Sequence, residues 1–184
     1  CGECNGSGIN VMCWDGLYVC DESECTEIPA NYPPWDLNVD GVIDNYNFYE
    51  FNGTITGRVY NDEDVEIGDD GDMVAAFVGN ELRGVARASV VPEQLGGGYG
   101  FLAMIYSNQV NDEILTFKFY DSNIDEVIDL VETVEWFSNM TIGNVIDSFN
   151  FHTPSTGIVG CLDETACNYN PIATISGDCD YPED

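Results

Sequence analysis

The stretch "EILTFKFYDSN", residues 113–123, alternates apolar and polar side chains. Leu115, Phe117 and Phe119 fall on one face of an extended chain, because successive side chains of a strand point to opposite faces. Aromatic and β-branched residues also favour strands over helices. The stretch therefore predicts a β-strand with one buried face.

The same pattern continues on both sides of this strand. Segments rich in aromatic and β-branched residues recur, with turn signals every 8–14 residues. This spacing predicts an all-β fold, an antiparallel β-sandwich of the Ig-like or jelly-roll-like kind, with about seven to nine strands. Residues 125–131 fit a short helix about as well as a strand, and the sequence leaves that alternative open.

The cysteines divide the chain into modules. Five lie within residues 1–25 and three near the C-terminus, whereas the long middle has none and must be held together by a hydrophobic core. The predicted parts are a Cys-rich N-terminal module, a loop, the sandwich and a Cys-rich C-terminal module, at residues 1–34, 35–50, 51–157 and 158–184.

An even number of cysteines among Gly, Asp and Asn favours disulfides and an oxidising, extracellular compartment. Zinc is the competing interpretation, because Cys1 and Cys4 form a C-x-x-C pair. A second such pair is missing, and the only histidine, His152, is far away in the sequence. We expect disulfides at Cys1, Cys4, Cys13, Cys20, Cys25, Cys161, Cys167 and Cys179.

The charge of the chain is very negative, with 34 acidic and 4 basic residues and a formal net charge of -30. Nucleic acid and anionic membrane surfaces are excluded as partners, because both are bound through Lys and Arg. No apolar run is long enough to insert into a membrane as a helix. Such charge destabilises a compact chain unless cations offset it, which favours bound calcium. A merely solubilising surface is the alternative.

The stretch "DLNVDGVIDNYN", residues 36–47, has the register of a 12-residue calcium loop. Oxygen-bearing side chains fall at loop positions 1, 3, 5, 9 and 12, a glycine at position 6 permits the sharp turn, and the carbonyl at position 7 supplies a further ligand. The predicted Ca²⁺ ligands are Asp36, Asn38, Asp40, Val42, Asp44 and Asn47.

The loop resembles the calcium loops of dockerins and of thrombospondin type 3 repeats. It departs from them at Asn47, where a bidentate acidic residue is usual, and an acidic surface turn is the alternative. A second acidic run, residues 61–72, has no clean ligand register. It is predicted to be a solvated loop, with a weak second cation site as the alternative.

The C-terminal stretch "GCLDETACNYNPIATISGDCDYPED", residues 160–184, resembles a short Cys-rich element of large secreted modular surface proteins. The N-terminal "CGECNGSG" and the central "GDMVAAFVGNELRGVA", residues 71–86, resemble companion parts of the same proteins. The resemblance implies a surface, adhesive or matrix component that is secreted, and it implies no catalytic activity.

Each end of the chain has an odd number of cysteines, five and three, so the cysteines of one end cannot all pair with each other. If all eight cysteines are oxidised, at least one disulfide joins the two ends or reaches another chain. Writing the end of the sequence before its beginning gives a continuous Cys-rich stretch, which favours copies of this chain in a tandem repeat or polymer. A single chain whose termini meet is the alternative.

Three N-glycosylation sequons begin at Asn5, Asn52 and Asn139, in contexts typical of turns, and predict attached N-glycans. Catalysis is not expected, because the chain has one histidine and no G-x-S-x-G motif. We expect a structural subunit or repeat unit of an extracellular, calcium-stabilised, disulfide-linked surface fibre or matrix. A carbohydrate-binding or adhesive module is the alternative, because its tryptophans could stack on sugars instead of filling a core.

Overall fold

The structure, a computed structural model, describes residues 11–155, 157, 159–173 and 175–181. The chain divides into two compact units, Cys1–Thr153 and Pro154–Asp184. The strands of the first unit are β1 Val11–Met12, β2 Tyr18–Val19, β3 Phe51–Tyr60, β4 Met73–Val78, β5 Glu81–Val90, β6 Tyr99–Ser107, β7 Asn111–Asp121, β8 Glu126–Phe137, β9 Thr141–Ile142 and β10 Phe149–His152. Three short 3₁₀ turns lie at Glu22–Glu24, Tyr46–Phe48 and Glu93–Leu95.

The predicted all-β fold is confirmed. One eight-stranded sheet has the order β10-β3-β6-β5-β4-β7-β8, with β9 beside β3. Strand β5 connects the two parts of the sheet. Its residues 81–87 pair with β4, and its residues 88–90 pair with β6. The sheet is mixed rather than purely antiparallel, since β9 and β10 both run parallel to β3. For residues 125–131 the sequence left a short helix open, but residues 126–131 belong to strand β8 and Asp125 lies in the turn before it.

A hydrophobic core lies on the inner face of the curled sheet. It includes Ile55 of β3, Ile105 of β6, Phe117 of β7 and Trp136 of β8, all almost fully buried. Each such side chain contributes roughly 1.5–3 kcal/mol through removal of apolar surface from water. Trp136 also donates its indole N–H to the Gln109 carbonyl at 2.7 Å, so this tryptophan is a core residue and is unavailable to a sugar.

Close packing of β10 on β3 depends on one glycine. The Phe151 ring lies over Gly57, and a Cβ at Gly57 would collide with that ring and lie 2.8 Å from the Phe149 carbonyl oxygen. The short strand β10 therefore reaches the core only because position 57 has no side chain.

A second apolar cluster lies on the other face of β4, β5 and β7, where Met73, Val85 and Tyr120 are buried. The segment before β3 covers this face: Ile43 is buried in the cluster, and Trp35 meets Phe77 edge to face with ring centroids 5.9 Å apart. The predicted calcium loop is therefore packed against the sheet.

The second unit contains two short strands, β11 Val159–Gly160 and β12 Ile175–Ser176, which pair in parallel. Its disulfide joins Cys161 to Cys179, and the Asp163 carboxylate accepts hydrogen bonds from Thr165 and Tyr181. Since a unit of this size can bury little apolar surface, the disulfide is a main source of its stability.

Candidate functional site

The centre of the candidate site is the carboxylate of Asp36, which is fully buried. Its Oδ1 accepts a hydrogen bond from the Asp40 N–H and its Oδ2 one from the Gly41 N–H, both at 3.0 Å. Asp40 in turn accepts the Val42 N–H at 2.9 Å. Gly41 has a φ of 75°, as the predicted sharp turn requires. The loop backbone thus curls around its first acidic residue.

Arg87 of β5 provides the positive charge at this centre. Its Nε donates to Asp36 Oδ2 at 2.6 Å, and one Nη donates both to the Asp36 carbonyl at 3.3 Å and to the Tyr32 hydroxyl at 2.6 Å. Burial by itself would lower the pKa of Arg87, but the contacts with Asp36 and Tyr32 outweigh it and the pKa is raised. Arg87 therefore stays charged and neutralises Asp36.

The other predicted calcium ligands lie at the surface. Asn38, Asp40, Asp44 and Asn47 are exposed, and Asn38 donates its side-chain amide to Asp40 at 3.0 Å. Across the residues that the structure describes, no group of three or more His, Cys, Asp or Glu side chains is placed to hold a metal ion. The backbone of the loop curls around its first carboxylate, and that carboxylate already has a cationic partner in Arg87.

A cavity of about 460 Å³ lies next to this centre, between the N-terminal module and the loops of the sheet. Trp14, Tyr32 and Tyr120 follow one another edge to face, with ring centroids 4.9 and 5.4 Å apart. The Trp14 indole N–H is donated to the Thr26 carbonyl, so this ring is fixed within its own module. The aromatic series connects the N-terminal module to the sheet.

Asp72 is a second buried carboxylate, at the end of the acidic run 61–72. It accepts hydrogen bonds from the backbone and hydroxyl of Ser122, both at 2.8 Å, and from the Asp69 N–H at 2.7 Å. Burial raises the pKa of Asp72, an effect that these hydrogen bonds only partly oppose. Most of the run is exposed, but its last residue ties the loop to the β7–β8 turn.

Arg87, Tyr32 and Asp72 are the residues that the sequence analysis missed. One signal was present for the arginine, since a chain with four basic residues and 34 acidic ones has a carboxylate available for each cation. All four are in fact paired, in Arg58–Glu66, Arg83–Glu113, Arg87–Asp36 and Lys118–Asp129. Which carboxylate each one selects is a long-range property that no local motif shows.

The structure describes six of the eight cysteines for which disulfides were predicted. Disulfides join Cys13 to Cys25 and Cys161 to Cys179, and Cys20 is also disulfide-bonded. Cys167 is an exposed free thiol within this single chain, so the disulfide predicted for it stays a prediction of a bond to another copy. The physical reason is parity, since three cysteines in the C-terminal module can form only one bond among themselves. Cys1 and Cys4 lie outside the described residues.

The side chain of His152 lies between two carboxylates. Its Nδ1 lies 2.7 Å from Glu132 Oε1 and its Nε2 lies 3.2 Å from Asp64 Oδ1. Its backbone N–H also donates to Glu132 at 2.7 Å, which ties β10 to the edge strand β8. Two carboxylates therefore face the imidazole and hold it at the strand edge.

No protein-family model, no curated protein and no solved structure matches this chain. In the part of the chain that the structure covers, no helix is long and apolar enough to cross a membrane.

Proposed function

We propose that this chain is a structural module of an extracellular surface fibre or matrix, acting as a subunit or as one unit of a tandem repeat. The observation that carries the proposal is that disulfides close both ends of the chain while Cys167 remains an exposed free thiol. Disulfides persist in oxidising, extracellular compartments. An exposed thiol in such a compartment is available for a bond to another copy.

The way in which the N-terminal module is attached supports a structural role. Trp14 and Tyr32 pack towards Tyr120 of β7, and Asp36 is bound by Arg87 of β5. These contacts join residues before the sheet to its central strands. A module fixed in this way transmits force between its end and the sheet instead of swinging on a linker.

Calcium binding by the loop 36–47 is part of the same proposal. Its support is the left-handed turn at Gly41, the buried apolar Ile43 at position 8 and the exposed oxygens of Asn38, Asp40 and Asp44. A divalent ion there would offset part of the net charge of -30. Arg87 limits the affinity of the loop for calcium, because its positive charge already compensates the negative charge of Asp36.

A non-catalytic role fits the described side chains. The single histidine faces Glu132 and Asp64, and the buried Asp36 and Asp72 are bound by an arginine and by N–H and O–H donors of the chain itself. These side chains form hydrogen bonds and ion pairs that stabilise the fold. The proposal therefore assigns no reaction to the chain.

The second candidate function is carbohydrate binding, and one observation favours it. Tyr46 is half exposed and lies against Tyr106 with ring centroids 5.8 Å apart, and Phe48, two residues later, is 76% exposed. Exposed aromatic rings are the surfaces on which sugars stack. Arg83 lies 5.4 Å from the centroid of the neighbouring Tyr49 ring, which helps to fix the aromatic group.

The two functions are separated by measuring sedimentation over a concentration series and binding to a glycan panel, with the same secreted protein. A structural subunit self-associates and gives no saturable glycan signal. A binding module stays monomeric and binds a glycan, and Tyr46→Ala weakens that binding. The second result would overturn the structural proposal in favour of the alternative.

A further inference from the structure

Two of the three sequons, far apart in the sequence, lie side by side in the sheet. The Asn139 N–H donates to the Asn52 carbonyl at 2.8 Å, and the Thr54 N–H donates to the Met140 carbonyl at 2.8 Å. Thr54 of β3 and Thr141 of β9 are direct register partners in a parallel pairing. The two Asn-X-Thr segments therefore run in the same direction, the first on β3 and the second in the turn that leads into β9.

Their acceptor side chains are at the surface, while their middle residues face the core. Asn52 and Asn139 are exposed, whereas Gly53 and Met140 are buried. A Cβ at Gly53 would lie 2.6 Å from Met140 Cγ, so the two middle residues pack directly against each other. Inward packing of the middle residues leaves both acceptor amides accessible to modification.

A row of apolar side chains on β6 lies beside these acceptors. Register pairs place Tyr106 opposite Asn52 and Met104 opposite Thr54, and the next outward position of β6 is Leu102. Cross-strand partners share a face of the sheet. Leu102 is 55% exposed and Met104 is 37% exposed. Two neighbouring apolar side chains are thus left in contact with water on this face of the sheet.

We infer that Asn52 and Asn139 form one glycan-bearing patch, and that N-glycans on it cover the β6 row of Leu102 and Met104. The inference rests on the proposed extracellular role, since N-glycans are added during secretion. In the transfer, the Asn amide nitrogen bonds to the anomeric carbon of a lipid-pyrophosphate-linked oligosaccharide. The amide loses a proton, the carbon–oxygen bond to phosphate breaks, and the lipid pyrophosphate leaves.

A glycan suits this face better than a second copy of the chain. Each copy has a formal charge of -30, so repulsion opposes a purely non-covalent contact between two copies at this face, whereas the proposed assembly is held by a covalent bond through Cys167. A neutral glycan carries no such penalty, and it is attached at the edge of the row that it covers. Neighbouring Thr54, Thr56 and Thr141 provide hydroxyl groups around the apolar side chains.

The test uses the full chain, secreted from a host that performs N-glycosylation. Thr54→Val with Thr141→Val removes both sequons while keeping β-branched strand residues, and Thr54→Ser with Thr141→Ser is the matched control that keeps them. Peptide mass spectrometry measures occupancy at each Asn, and the fluorescence of an apolar dye measures the uncovered row. Enzymatic deglycosylation of the folded wild type provides a comparison without substitutions.

We expect occupancy at both Asn52 and Asn139, and a several-fold rise in dye fluorescence in the Val variant and after deglycosylation. Leu102→Ser with Met104→Ser should abolish that rise. Unmodified Asn52 and Asn139 in a secreted, disulfide-bonded chain would overturn the inference and leave the structural role standing. Occupied sites with unchanged dye fluorescence would also overturn it. The structural role is tested separately by sedimentation, and it fails if the chain does not self-associate.

Discussion

The guanidinium of Arg87 lies 2.6 Å from the fully buried carboxylate of Asp36, and it also donates to the Asp36 carbonyl and the Tyr32 hydroxyl. This pair joins the acidic loop to strand β5. A carboxylate that is buried without compensation is costly, so the loop and the strand depend on each other. The pair explains how a chain with so many acids tolerates one in its interior.

Removing the positive charge of this pair should be strongly destabilising. Arg87→Met keeps the length of the side chain but leaves Asp36 buried and uncompensated, which costs about 3–5 kcal/mol of unfolding free energy. The matched control is Lys118→Met, which breaks the more exposed pair with Asp129 and should cost about 0–1 kcal/mol. Urea unfolding measures both. Equal effects of the two substitutions would refute a special role for Arg87.

Calcium should stabilise the protein through the loop. At a calcium concentration one hundred times the dissociation constant, a single site adds about 2.7 kcal/mol to the unfolding free energy. Thermal unfolding with calcium and with excess chelator measures this difference. Asp44→Ala should reduce it, whereas Glu135→Ala removes an exposed acid of strand β8, outside both acidic loops, and should leave it unchanged. Identical melting curves with calcium and chelator would contradict the calcium proposal.

The buried Asp72 should make stability depend on pH in a defined direction. Burial raises its folded-state pKa above the ordinary value of 3.8, so the folded protein takes up this proton more readily than the unfolded chain. The resulting stabilisation is complete below the ordinary pKa and is lost as pH rises through the raised one. Asp72→Asn cannot titrate at this position and lacks this contribution.

The measurement for Asp72 is the unfolding free energy of wild type and Asp72→Asn from about pH 7 down to about pH 4. Because only the wild type gains a proton here, the difference between them should shift in favour of wild type as the pH falls. Asp129→Asn, at an exposed site, serves as the control for general charge effects. A difference that does not change with pH, or that shifts towards the variant, would show that the carboxyl group is not perturbed as described.

The C-terminal unit should depend on its disulfide. Replacing Cys161 and Cys179 with alanine opens a link that spans 18 residues, and a closed loop of similar size contributes roughly 3 kcal/mol. Hydrogen exchange in residues 159–181 should therefore become fast, while β3–β8 stay protected. Cys167→Ser should leave exchange unchanged, because Cys167 forms no disulfide within the unit. Retained protection in the double variant would contradict this assignment.

Local patterns in the sequence were sufficient to predict the strands and the turn of the loop. The alternation of Leu115, Phe117 and Phe119 corresponds to a buried face of β7, and Gly41 has the left-handed conformation that its loop position requires. These features depend only on neighbouring residues, since side-chain alternation and backbone freedom are local properties.

Pairings between distant residues were beyond prediction. The Asp36–Arg87 pair and the parallel register of Thr54 with Thr141 join segments that no motif connects. The buried state of Asp72 likewise depends on Ser122 in a different loop. Cys167 is free within the chain, and a count of cysteines alone does not show which of them meet.

The most direct measurement is the mass of the native, secreted protein under non-reducing conditions, for wild type and Cys167→Ser, before and after reductant. A disulfide-linked structural module predicts covalent species larger than one chain that disappear with reductant and are absent in Cys167→Ser. Species that are large and resist reductant would indicate a continuous tandem chain instead of separate linked subunits. A single species near the 20.2 kDa of one chain, allowing for glycans, would contradict a covalently assembled fibre or matrix.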